Sequence, residues 1–218
     1  MLKTKDLYSF EHSQAGQWLQ ECEYPWQALE KIGAWIQELQ KNLGEDYEER
    51  SHGVFVHKSA SIAPTASLGA PCIIGPDTEV RPGAFIRTNA LVGQGCVVGN
   101  STELKNVILF DHVQVPHYNY VGDSILGYCA HMGAGSITSN VKSDKTHVTV
   151  VDGNERIDTG LKKMGAMLGD HVEVGCNSVL NPGTIVGRET NIYPLSSVRH
   201  TIPARHIYKD ADHIVPRI

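Results

Sequence analysis

The 218-residue chain lacks the features that would place it in several common classes. No stretch approaches the ~20 consecutive apolar residues needed to cross a bilayer, and the first twenty residues, MLKTKDLYSFEHSQAGQWLQ, hold no apolar block of the size that opens a secretory leader. Five cysteines are an odd number and form no Cys-x-x-Cys pair, so they predict core filler rather than a disulfide framework. Nineteen basic against twenty-four acidic side chains give a formal charge of −5, with no basic run able to release counterions from nucleic acid. A phosphate-cradling glycine loop of the P-loop or dinucleotide type is missing, as are a defensible Ser-His-Asp order and a paired-carboxylate arrangement. These absences predict a cytoplasmic protein with neither nucleic acid nor membrane as a partner.

What is present is a beat of six. Val56, Ile62, Leu68, Ile74, Val80, Ile86, Val92, Val98 and Leu104 follow one another at that spacing, and the position four later is Ala, Cys, Thr or Ile. The beat returns at Leu168, Val174, Leu180, Val186, Ile192 and Val198. A six-residue period is too short for a helical repeat and reads as a short strand plus a turn, stacked coil upon coil. The expected fold is mainly β: a β-solenoid over residues 54–203, preceded by a helical segment and linker (1–53) and followed by a tail (204–218).

Within a hexad the aliphatic residue and the small residue two before it point inward, and the residue between them points out. With three hexads per coil, outward residues eighteen apart stack, which places Ile73, Leu91 and Leu109 in one apolar column and predicts a subunit interface there. Residues 24–43 carry Pro25 at a suitable first-turn position and Trp26, Leu29, Ile36 and Leu43 on one stripe, so they predict one amphipathic helix. Its expected role is to cover the open end of the first coil. Between Leu104 and Leu168 the beat fails twice. It slips by two residues across 110–120, then leaves the repeat over 141–166, where VTVVDGNERIDTG predicts a hairpin around Asp152-Gly153. A protruding loop of this length usually serves a site.

Two cations occupy a turn position that is mostly glycine elsewhere. Arg87 and Lys105 are eighteen residues apart, so the regular coil places them one strand spacing, ~4.8 Å, from each other. Such a pair makes sense flanking an anion such as a phosphate, with two solvated side chains leaning apart as the alternative. His117 falls where the beat slips; an imidazole can take a proton from an ammonium or hydroxyl nucleophile near neutral pH, as acyl transfer to an amine requires. His112 and His131 are close enough in sequence to make a three-imidazole metal site a competing idea, although no fixed spacing secures the third ligand.

PHYNYVGDS, followed by MGAGSITSN, strongly resembles the acetyltransferase half of the bifunctional sugar-1-phosphate nucleotidylyltransferase/acetyltransferases. EYPWQALEKIGAWI resembles the helix that joins the two halves, and DTGLKKMGAMLGDHVEVGCNSVLNPGTIVG is similar to the archaeal branch; the likeness covers about residues 23–205. The resemblance implies a left-handed parallel β-helix with triangular coils, assembled as a homotrimer with active sites between chains. It implies transfer of an acetyl group from acetyl-CoA to the amine of a hexosamine 1-phosphate. Carried over residue by residue, His117 would be the general base, Arg87 and Lys105 the phosphate pair, Tyr120 a sugar-phosphate contact and Asn140 an acceptor-binding amide. Ala134, Cys176 and Pro194 would lie against the coenzyme. His131 stands where the bacterial enzymes have Asn, Arg87 is followed by Thr88 rather than Pro, and the lysine beyond Asn140 arrives one residue early as Lys145; both His131 and Lys145 are carried as substrate contacts, and no metal is expected. The nucleotidylyltransferase half does not fit in the 23 residues before the helix, so that activity is not expected of this chain. The rival expectations are a non-catalytic trimeric scaffold for a separate nucleotidylyltransferase, or a metal-dependent hydratase of solenoid type.

Overall fold

A computed structural model describes residues 1–217. Each hexad becomes a short strand that buries its aliphatic residue and turns a corner, because alternate residues of a strand face opposite ways. Three parallel stacks result. The first face runs through Ser61–Ile62, Glu79–Val80, Val97–Asn100, Gln114–His117, His131–Met132, Glu173–Val174, Asn191–Ile192 and His206–Asp210. The second and third faces are one sheet, since Phe85–Val92, Glu103–Leu109 and Tyr120–Leu126 bend around the corner between them. On the third face Ile74, Val92, Leu109, Leu126, Leu168 and Val186 stack inward in register and are buried. Cys72 and Cys96 pack in the core beside them, and burial pushes both thiols up to about 12, so they are inert filler as expected.

The two-residue slip resolves into two shortened corners. Ile86 pairs with Leu104 but Val92 with Leu109, and a bulge at Arg87 absorbs the difference; the next coil again loses one residue between Val121 and Leu126. Both tight corners join the second face to the third. Their apices, Asn106 and Asp123, take left-handed φ of 55° and 48°, which a short polar side chain tolerates better than a branched one.

The register also corrects the outward column. Leu109 belongs to the inward stack, and the outward residues of the third face are Ile73, Leu91, Ile108, Ile125, Met167 and Ile185. All are buried within the single chain, so this column is no subunit interface. What covers it is the N-terminal segment: Leu7, Tyr8, Ala15, Leu19, Trp26, Leu29, Ile32 and Ile36 join the same core, and the Tyr8 hydroxyl donates to the Ile125 carbonyl at 3.3 Å. The segment expected as one helix over 24–43 is a 3₁₀ turn, Pro25–Ala28, and a separate α-helix, Ile32–Gln40. It packs on the flank formed by Cys72–Ile74, Phe85–Val92 and Glu103–Leu109 rather than on the coil end. The end is closed instead by Tyr47–Ser51, which pairs antiparallel with Val54–His57, and the other end by His213–Pro216 on His206–Asp210. The tail from 204 thus adds two strands to the sheet of the first face. The protruding loop does form a hairpin, Thr149–Asp152 with Glu155–Asp158, closed by Gly153 and Asn154.

Candidate active site

The corner between the first and second faces carries one group of the expected residues. Val115 pairs with Val98, and His117 with Asn100; the same register continues through Met132, Val174 and Ile192. Two residues beyond those anchors lie Ala134, Cys176 and Pro194, so His117 heads a column that contains all three. Backbone bonds bind the column together: Gly135 N–H donates to the His117 carbonyl (3.0 Å), Asn177 N–H to Ala134 (2.8 Å) and Leu195 N–H to Cys176 (2.9 Å). The amides of Ala134 and Cys176 themselves donate to no protein acceptor among the described residues, which leaves two N–H groups along an exposed edge. Asn119, buried at 2 %, fixes the turn that presents His117: its oxygen accepts the His117 N–H at 3.1 Å, and its amide donates to the carbonyls of Gly133 (2.9 Å) and Ser136 (3.0 Å).

The corner between the second and third faces carries the other group, centred on a residue the motif reading passed over. Asp123 is buried, and its carboxylate accepts from Lys105 Nζ (2.8 and 3.1 Å), Asn106 (3.0 Å) and Asn140 (2.6 Å). Asn140 also reaches the Tyr120 hydroxyl at 3.2 Å. The Tyr120 ring lies across Gly122, where an added Cβ would run into the phenol and displace the ring. Burial raises the Tyr120 phenol above its ordinary range, with the nearby Asp123 and Glu103 carboxylates adding to the rise. A signal for Asp123 was present: Asn89, Asn106 and Asp123 are spaced by 17 residues, and their side chains form a ladder, Asn89 to Asn106 at 3.3 Å and Asn106 to Asp123 at 3.0 Å.

The two expected cations are offset by one residue and each is neutralised by its own carboxylate. The bulge at Arg87 sets Lys105 opposite Thr88; Arg87 pairs with Glu103 at 2.9 Å and Lys105 with Asp123. Lys105, Asn106 and Asp123 do line a cavity of about 640 Å³, bordered by the N-terminal segment (Leu29, Glu30) and the segments flanking the hairpin, whose other basic residues are His147, Lys162 and Lys163. Lys145 is exposed in the turn before the hairpin and does not line it. His131 is elsewhere too, on the first face, with Nδ1 2.8 Å from Glu173. Within one chain His117 stands at one edge of the second face and the Lys105–Asp123–Asn140–Tyr120 network at the other. The three histidines do not converge either: His112 occupies the corner between the third and first faces, beside Tyr128. Among the described residues, no three His, Cys, Asp or Glu side chains are arranged to hold a metal.

A parallel solenoid of hexads, interrupted by one hairpin and carrying an imidazole on a corner, defines a hexapeptide-repeat β-helix protein. The chain belongs to the GMPPB C-terminal domain family, whose model matches residues 69–186. A bifunctional sugar-1-phosphate nucleotidylyltransferase/acetyltransferase from Sulfurisphaera tokodaii is 28 % identical over 199 residues, which are 89 % of this chain and 49 % of that protein. The bifunctional protein GlmU of Methanococcus vannielii is 33 % identical over 113 residues, 52 % of this chain and 27 % of that protein. These matches bear out the resemblance read from the PHYNYVGDS region. The chain spans about half the length of the first of these relatives and about a quarter of the second. Among solved structures, a hexapeptide transferase family protein from Anaplasma phagocytophilum aligns with a TM-score of 0.41 at 15 % identity, covering 76 % of this chain and 81 % of its own.

Proposed function

We propose that the chain is an acetyl-CoA-dependent N-acetyltransferase that acts on a hexosamine 1-phosphate of the glucosamine 1-phosphate type, or on a related amino-sugar nucleotide, as a homotrimer. The observation that carries this reading is the single column of His117, Ala134, Cys176 and Pro194, with unpaired amides running away from the imidazole. Its sugar-phosphate half is supported by the name of the Sulfurisphaera tokodaii relative.

In this mechanism the extended coenzyme lies along that column, and the acceptor amine approaches between His117 and the thioester. The amine nitrogen forms a bond to the thioester carbonyl carbon and gives its proton to His117; the oxyanion takes a backbone N–H, for which Ala134 and Cys176 are the free donors. Collapse breaks the carbon–sulfur bond, and the thiolate leaves with the proton returned by His117. The sugar phosphate is held at the opposite edge of the second face by Lys105, with Arg87 on the rim and Tyr120 and Asn140 fixing the sugar. Since these two edges lie apart in one chain, a complete site requires the His117 edge of one protomer to meet the Lys105 edge of the next. Exposed apolar side chains suit that contact: Phe85 on the second face, and Tyr118 and Leu195 (80 % exposed) on the His117 corner.

The direct test is release of thiol from acetyl-CoA with glucosamine 1-phosphate, beside a titration of the pure protein with acetyl-CoA. No release and no coenzyme binding would leave the scaffold reading. The phosphate cradle has its own test. Lys163→Ala is expected to raise the acceptor KM about tenfold with kcat little changed, because it removes a charge-assisted contact made before and during reaction. Lys145→Ala is expected to do less; the reverse order would move the acceptor out of the cavity that Lys163 lines. A third check uses thiols. Cys176 is exposed and in the coenzyme column, whereas Cys72 and Cys96 are buried. Labelling with an aromatic disulfide is expected at Cys176 first, and saturating acetyl-CoA is expected to slow it; an unprotected Cys176 would displace the coenzyme from this edge.

A further inference from the structure

A second cavity, of about 520 Å³, opens on the other side of the hairpin and has no role in the reaction above. Its walls come from three places: Ser139 and Lys142 at the entry to the protruding loop, Arg156 on the hairpin, and Asn181, Arg199 and His200 on the lower coils. Among the described residues, no acidic side chain lines it. That is unusual in a chain with more acids than bases, and it contrasts with the first cavity, where Glu30 and Asp123 stand among three lysines. Among the described residues, Arg156 and Arg199 make no ion pair, while Arg81, Arg87, Arg188 and Arg205 each have a carboxylate within 3.4 Å. Lys142 shares its charge with Asp144 at 3.4 Å, outside the cavity. The hydroxyls of Ser139, Ser143 and Thr149 donate to no protein acceptor among the described residues, so neutral donors accompany the cations.

Two guanidiniums without a carboxylate partner, brought from separate elements, border one recess, and the planar donor fork of each matches phosphate oxygens. Both side chains are exposed, and both line a recess of ligand size. We propose that this recess is an anion subsite, which takes a phosphate or diphosphate group of a small molecule between Arg156 and Arg199, with Lys142 and the free hydroxyls completing its shell. The subsite does not depend on the acyl-transfer reading. Two sources share this chemistry, the terminal phosphate of the coenzyme's nucleotide end and a free phosphorylated metabolite.

The test is calorimetric titration of the full chain with inorganic pyrophosphate at low ionic strength, on the wild type, on Arg156→Gln/Arg199→Gln and on Lys163→Gln. Wild-type binding is expected to weaken about tenfold or more in the double variant, as two charge-assisted contacts are lost, and to change much less in Lys163→Gln. No measurable binding to the wild type, equal affinity in the double variant, or a loss that follows Lys163→Gln alone each overturns the proposal. Arg156→Gln by itself, a change on the exposed hairpin, must also weaken binding if the double variant folds poorly. Competition then separates the sources: displacement of pyrophosphate by CoA but not by 3′-dephospho-CoA assigns the coenzyme's phosphate, and no displacement by either assigns a free metabolite.

Discussion

His117→Ala is expected to lower kcat for acetyl transfer by about 10²–10⁴, the usual contribution of a positioned general base, while coenzyme binding and the melting temperature stay close to wild type. The argument is geometric. His117 is exposed, its side chain supports no packing, and its backbone is held by Asn119 and by Gly135 rather than by the imidazole. Removing the ring therefore removes a proton acceptor and nothing structural. Asn119 supplies the contrast: Asn119→Ala strips buried partners from Gly133 and Ser136 and frees the turn, so it is expected to cost stability as well as rate. Turnover by thiol release and unfolding by circular dichroism separate the two. Unchanged turnover in His117→Ala would remove the imidazole from the reaction, whatever the column of amides does.

The repeating part of this fold was legible in the sequence because one inward residue per hexad is set by burial, and burial acts identically in each coil. The corners were legible only by their lengths. A slip of two residues over 110–120 was visible, yet its division into two shortened corners, 104–109 and 121–126, depends on which residue bulges, and that is decided by hydrogen bonding across coils. One residue of misplacement set Lys105 opposite Thr88 instead of Arg87 and turned Leu109 inward. The apolar column was read correctly as something that must be covered, but periodicity says nothing about what covers it. Residues 1–40 do, and their own pattern is too irregular to announce that. The same distinction holds for the candidate site. His117, Ala134, Cys176 and Pro194 share a register that the regular repeat dictates, whereas the Lys105 network hangs on Asp123, a lone acid in a corner whose burial no local pattern reveals.

Asp123→Ala is expected to destabilise the chain by about 3–5 kcal/mol, the range for breaking a buried ion pair from one side. Its carboxylate side chain is 5 % exposed and that of Lys105 is 21 % exposed, so water replaces little of what is lost. Alanine would strand an ammonium and two amide donors, from Asn106 and Asn140, around an empty space, and those donors tie three successive coils and the start of the hairpin loop together. Replacing both charges, as in Lys105→Met/Asp123→Leu, is expected to cost less than Asp123→Ala alone, because no uncompensated charge remains. Urea unfolding of the two variants gives the comparison, with matched slopes required before the midpoints are read as stability. A loss below about 1 kcal/mol in Asp123→Ala would mean that the carboxylate is effectively solvated, the value expected of a surface pair. In that case Lys105 and Asn140 would be positioned by something other than Asp123, and the phosphate cradle would lose the rigid corner that sets it opposite the His117 edge of a neighbouring protomer.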